Sequence, residues 1–263
     1  MKGGNDEGML RTRIIPCLLL RDTSLVKTTK FDKFTYIGDP LNTCRIFNEL
    51  EVDEMMILDI TASREGREPN YKVLGSLVSE CFMPLSYGGG ITNVEQAEKL
   101  FYTGFEKIVL NSVLFSRPQL ITEIATTFGS QSIVASLDVR KGLLSGYSLY
   151  SHSGQQKQKV KLLEWAKQVE ELGAGEIILT NIDREGTWSG FDTSLVKMVS
   201  DVVGIPVVAH GGAGQIEDIA EVVTKGSASA VGLGSMVVFQ NKGMGVLVNF
   251  PDKKKLETAL HVH

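Results

Sequence analysis

Three cysteines, four histidines, seven prolines and two tryptophans are all that this 263-residue chain has of those residue types. Cys17, Cys44 and Cys81 are odd in number, widely spaced and form no CxxC pattern. They are expected to be reduced, in a cytoplasmic protein. No His/Asp/Cys cluster has ligand spacing, so neither a metal nor any other cofactor is expected. No serine or cysteine sits in a nucleophile elbow. No apolar run approaches the roughly 18 residues of a membrane span, and Met1–Gly8 is too polar for a signal peptide. Charge of one sign is also lacking. The net charge of -4 argues against a bulk basic field for nucleic acid or a membrane surface. At 43% hydrophobic and 22% charged residues, the composition is that of a soluble globular protein with one large core.

Glycine, by contrast, is placed with pattern. Gly88-Gly89-Gly90 and Gly211-Gly212-Ala213-Gly214 each follow a short apolar segment opened by Pro84 or Pro206, about half a chain apart. Glycine there lets backbone amides approach an anion closely before a helix. Two such cradles predict a ligand with a phosphate at each end.

Apolar, β-branched runs alternate with helical patterns. Strands are expected at Arg13–Leu20, Glu54–Ile60, Pro84–Tyr87, Lys107–Asn111, Ile133–Val139, Glu176–Ile182, Pro206–His210 and Ala230–Gly234. Between them, Thr92-Asn93-Val94-Glu95 reads as a capping box, and Lys161–Leu172 as a helix ended by Gly173. Eight nearly continuous hydrophobic strands alternating with helices imply a closed (β/α)8 TIM barrel over residues 13–263, preceded by an extension over residues 1–12. A Rossmann fold is the weaker alternative, because no GxGxxG follows the first strand. Two insertions break the rhythm: Arg21–Thr43, expected as a mobile lid, and Gly142–Val160. Both follow the strand ends on which barrel active sites are built. The paired glycine runs, with Asn111-Ser112 and Gly234-Ser235, echo one another as two half-barrels would.

Alternation along strands puts Arg13, Ile15, Cys17 and Leu19 on one face, and likewise Lys107, Val109 and Asn111, and Glu176, Ile178 and Thr180. If those faces line the lumen, Arg13, Glu54, Lys107 and Glu176 meet at the bottom and Asn111 and Thr180 stand at the top. Four unrelated solvated strand ends are the equal alternative. Asp138, near the end of the fifth strand, is the best acid/base candidate, since a partly desolvated carboxyl can exchange a proton near neutral pH. A loop cap is its blander role. Asp183, Glu185, Thr187 and Asp192 form either a set of acceptors for sugar hydroxyls or a solvated turn. Asp59 is read as an orienting group. Lys27 is either a phosphate contact or a solvated lysine, and His210 either a phosphate contact or acid, or a packing residue.

Taken together, Arg13-Ile14-Ile15-Pro16-Cys17-Leu18, Leu58-Asp59-Ile60-Thr61-Ala62-Ser63, Gly88-Gly89-Gly90-Ile91, Phe128-Gly129-Ser130-Gln131, Gly173-Ala174-Gly175-Glu176-Ile177 and Asp183-Arg184-Glu185-Gly186-Thr187 resemble the HisF family. That family is the cyclase subunit of imidazole glycerol phosphate synthase, a (β/α)8 barrel. The resemblance runs from about Arg13 to Ser235. It implies a HisH-like glutaminase docked at the bottom of the barrel, where Asp53 and Glu106 also lie. Ammonia would pass a gate of Arg13, Glu54, Lys107 and Glu176 and travel up the lumen to a phosphorylated small molecule. It further implies substrate contacts at Lys27, Gly89, Gly90, Asn111, Ser153, Gly154, Thr180, Gly211, Gly212 and Ser235, with Asp138 catalytic.

The family's second catalytic aspartate is replaced by Leu19, a loss that typically costs a factor of about 10²–10⁴. His210 stands where the family usually has serine, and the segment Val237–Leu260 also departs. Cys17-Leu18-Leu19-Leu20-Arg21-Asp22, Leu25-Val26-Lys27-Thr28 and Asn249-Phe250-Pro251-Asp252 are similar to HisF-like paralogues of surface-polysaccharide pathways. There the barrel and its glutaminase are thought to supply ammonia to a separate sugar amidotransferase. A working cyclase of histidine biosynthesis and a non-catalytic scaffold that activates the glutaminase are the alternatives.

Overall fold

All eight strands expected from the sequence are present, and they close on themselves. The computed structural model describes residues 12–142 and 146–261. The barrel strands are β1 (Arg13–Arg21), β2 (Met55–Asp59), β3 (Leu85–Gly88), β4 (Lys107–Leu110), β5 (Ile133–Gly142), β6 (Glu176–Asn181), β7 (Val207–His210) and β8 (Ala230–Leu233). Each pairs in parallel with the next. β8 returns to β1, with Arg13 opposite Ala230 and Pro16 opposite Leu233. Helices cover the outside, giving a (β/α)8 barrel without open edges among these strands. β3 and β7 begin one residue after Pro84 and Pro206. A proline has no N–H for the ladder, but both carbonyls still accept bonds, from Met55 at 3.0 Å and Ile177 at 2.9 Å.

Because strand side chains alternate, the barrel has two separate apolar cores. The outer one packs residues such as Ile14, Leu18 and Leu20 against helix residues such as Phe47, Leu100 and Val199. The inner one consists of Ile15, Cys17, Met56, Val109, Val134, Ile178, Val208 and Ala230, with Leu58 against it. Burying a large aliphatic side chain is worth about 1.5–3 kcal/mol, so both layers hold the barrel closed. The helix Leu162–Glu171 buries Leu162, Trp165, Ala166 and Val169 on its inner face, and Gly173 follows at φ 111°. In the helix Val94–Thr103 the cap is Asn93 rather than Thr92. Its side chain accepts from the Gln96 N–H at 2.9 Å, while Gln96 Oε1 accepts from Thr92 N–H at 2.8 Å.

The two insertions differ from their expectation. The first is a β-hairpin, not a mobile lid: Ser24–Thr28 pairs antiparallel with the end of β1 and with Phe34–Gly38. It ends at Asp39, which caps the helix Pro40–Glu49. The second begins as Gly146–Ser151, antiparallel to an extended β5, so β5 runs past Val139. Both hairpins stand on the C-terminal rim. Of the N-terminal extension only Thr12 lies among the described residues. At the other end, the helix Lys253–His261 buries Leu256.

Candidate functional site

At the N-terminal mouth the four charged strand-openers form a closed ionic circuit. Arg13 Nη1 lies 2.7 Å from Glu54 Oε2, and Arg13 Nη2 pairs with Glu176 Oε1. Lys107 Nζ lies 3.1 Å from Glu54 Oε1 and 3.0 Å from Glu176 Oε2. Each carboxylate thus bridges both cations. The carboxylates are buried, whereas the Arg13 and Lys107 side chains keep 31% and 22% exposure toward the mouth. Burial pushes the Glu54 carboxyl up, but Lys107 and Arg13 outweigh it and hold it below the usual range. Ser86 Oγ donates a further bond to Glu54 at 3.1 Å. Above the circuit lie only the apolar side chains of the inner core. Asp53 and Glu106 are exposed beside it.

At the C-terminal mouth a cavity of about 740 Å³ opens beneath the two hairpins. Of the residues singled out in the sequence, Lys27, Gly89, Gly90, Asn111, Asp138, Ser153 and Thr180 line it, together with Leu19 and His210. Asp138 lies at its floor. Its carboxylate accepts from Ser136 Oγ at 3.2 Å and from Asn111 Nδ2 at 3.2 Å. Burial raises its pKa to about 7, with hydrogen bonds from Ser136 and Thr180 opposing. A proton can therefore be held or released there near neutrality. Leu19, 6% exposed, offers the same cavity only methyl groups.

His210 is no acid. Burial, then the Lys27 charge, lowers its pKa to about 3, and the neutral ring shares a 3.1 Å hydrogen bond with Thr180 Oγ1. Lys27 is not on a solvated lid. It is 5% exposed, ion-paired to Glu185, and donates to Thr28 O at 2.9 Å.

The glycine runs have matching geometry in the two halves. Gly89 (φ 126°) and Gly211 (φ 91°) need a left-handed backbone, and a Cβ on either would lie 2.6 Å from Asp59 O or 2.7 Å from Asn181 O. Their surroundings differ. The Gly89–Gly90 turn faces the large cavity beside Ser63, Arg64, Ser112 and His152. Gly211, Gly212 and Ser235 surround a void of about 10 Å³, shared with Lys27, Glu185 and His210. Gly154 borders Phe31 rather than the cavity, in a turn where His152 and Ser153 also have positive φ (52° and 54°).

The polar loop after β6 is neither a solvated turn nor a set of free acceptors. Asp183 accepts from Lys141 N–H at 2.9 Å and Thr187 Oγ1 donates to Arg184 O at 2.6 Å. Asp192 caps the helix Thr193–Ser200 and accepts from Tyr147 and Asn181 at 2.8 Å each. Glu185 alone reaches the cavity. Asp59 accepts from Thr61 N–H and Ala62 N–H at 2.9 Å each and so orients its own loop. Arg21, Arg64, Ser112 and His152 line the cavity but carry no sequence signal of their own; position after a barrel strand was the only clue. No group of metal-ligating side chains occurs among the described residues.

Comparison with known proteins places this geometry. The histidine biosynthesis protein family matches residues 13–242. A Pseudomonas aeruginosa protein provisionally named imidazole glycerol phosphate synthase subunit hisF2 is 49% identical over 251 residues, 95% of this chain and 100% of that one. A Vibrio vulnificus protein provisionally named subunit hisF3 is 46% identical over 255 residues, 97% and 98% of the two chains. The imidazole glycerol phosphate synthase subunit HisF of Chlorobaculum tepidum is 42% identical over 232 residues, 88% of this chain and 92% of its own.

Proposed function

This chain belongs to the histidine biosynthesis protein family, as a HisF-type barrel subunit of the imidazole glycerol phosphate synthase group, and from that premise we propose that its task is to receive and conduct ammonia. A HisH-like glutaminase docks at the N-terminal mouth and hydrolyses glutamine. Neutral ammonia passes the Arg13–Glu54–Lys107–Glu176 circuit when one ion pair parts, and Lys107, on a flexible stem, is the member best able to swing aside. The apolar lumen then offers ammonia no strong partner on the way up. It emerges beside Asp138, which can take up or return a proton near pH 7.

The observation that carries this reading is the combination of a complete ionic circuit at one mouth with Leu19 at the other. The acceptor is a phosphorylated or sugar substrate of surface-polysaccharide biosynthesis, aminated or amidinated there or on a third protein, a sugar amidotransferase. All of this takes place in the cytoplasm. Its support is the likeness of the β1 and C-terminal segments to that group; among the described residues, no helix is long and apolar enough to cross a membrane.

The test is a coupled assay with the glutaminase partner. Lys107→Ala is expected to uncouple glutamine hydrolysis from ammonia appearing at the C-terminal mouth by about tenfold or more; unchanged delivery refutes the gate.

A second reading, a working cyclase of histidine biosynthesis, is favoured by one observation, the Asp138 carboxyl tuned to about 7. Purified protein that closes the imidazole ring from the bisphosphate intermediate and ammonium would establish it. Under the conduit reading that activity is absent, and Leu19→Asp is expected to raise it by roughly 10²-fold or more by restoring a second carboxyl.

A further inference from the structure

The two glycine cradles are alike in sequence and unlike in occupancy. The one after β7 is filled by the chain itself. Lys27, from the first hairpin, lays its stem across Gly234, where a Cβ would come within 2.7 Å of Lys27 Cε. Its ammonium is already paired with Glu185, and both side chains are buried, at 5% and 3% exposure. Glu185 also holds the hairpin down: its Oε2 accepts from Thr28 Oγ1 at 3.1 Å and its carbonyl from Lys30 N–H at 2.9 Å. The hairpin carbonyl Thr28 O sits where a Cβ on Gly186 would be, 2.6 Å away. The glycines there make room for an internal cation rather than for a ligand. What is left is about 10 Å³, the size of one water at most and too small for a phosphate. A dianion would also meet the Glu185 carboxylate, and seating it would strip Lys27 from its buried partner. The Gly89–Gly90 turn, with Ser112 and Arg64, opens instead onto the cavity of about 740 Å³.

Resting on the reading that this cavity is the barrel's ligand site, we propose that it takes a ligand carrying one phosphate, seated at the Gly89–Gly90 end, and that the Lys27–Glu185 pair excludes a second. The sugar or other body of the ligand then extends toward Asp138, where ammonia arrives.

Calorimetric titration of the purified chain with ribose 5-phosphate and with ribulose 1,5-bisphosphate tests this without glutaminase or turnover. The two are expected to bind within about threefold of one another; a second seated phosphate would add about tenfold or more. In Glu185→Gln, which frees Lys27, the bisphosphate is expected to gain about tenfold while the monophosphate is unchanged. A bisphosphate preference beyond about threefold in the wild-type chain, or no binding of either compound, overturns the proposal, and neither result depends on whether the variant folds. Each would leave the Lys107→Ala gate assay untouched, so failure here and failure of the ammonia reading are separable.

Discussion

Asp138 shows how a single residue's surroundings set its chemistry. Its folded pKa, raised by burial to about 7, exceeds its ordinary value of 3.8. The folded state therefore binds the proton more tightly than the unfolded chain. The stability linked to that proton is fully present below about pH 4 and is lost as pH rises through about 7. Asp138→Asn should leave the midpoint of thermal unfolding nearly unchanged at pH 4 and raise it at pH 8, by an amount corresponding to roughly 2–4 kcal/mol; equal shifts at both pH values would contradict the assignment. Its candidacy was legible from position alone. The fate of Lys27 and His210 was not, because burial and partners decide it: Lys27 is claimed by Glu185, distant in sequence, and His210 is desolvated until it stays neutral.

Among the elements, the strands were the most legible, since a fully buried parallel strand leaves an unbroken apolar run. Errors collected at the insertions. Thr-rich, charged sequence such as Arg21–Thr43 gives no clear period, yet here it pairs with β1 and stacks Arg21 on Phe34 at 3.9 Å. The glycine turns were legible as turns, but not their occupants, which depend on a hairpin packed from the other side of the barrel. Gly89→Ala combines a left-handed φ of 126° with a contact 2.6 Å from Asp59 O. It should cost more than about 2 kcal/mol in urea denaturation; a loss under about 1 kcal/mol would mean that the turn can relax.

For the whole molecule, the two mouths have different company. Phe82, just before β3, and Tyr102, in the last turn of the helix leading to β4, are 88% and 82% exposed at the end that carries the ionic circuit. Exposed aromatics of this kind are common anchors of interfaces, where truncation often costs about 2 kcal/mol or more. Phe82→Ser with Tyr102→Ser should weaken glutaminase binding by about tenfold or more while leaving the unfolding midpoint within a degree or two. Intact binding would move the docking face elsewhere. The barrel's closure could be read from eight repeats of one pattern, but which residues of each repeat meet across 263 residues could not.

The greasy plug between the mouths has an electrical consequence. From Ile15 and Val134 up to Val208 its side chains supply no relay of donors and acceptors along which a proton could hop. Whatever titrates among Arg13, Glu54, Lys107 and Glu176 is thereby insulated from the carboxyl of Asp138. The two ends can sit in different acidities at once, and only a small uncharged traveller carries news from one to the other.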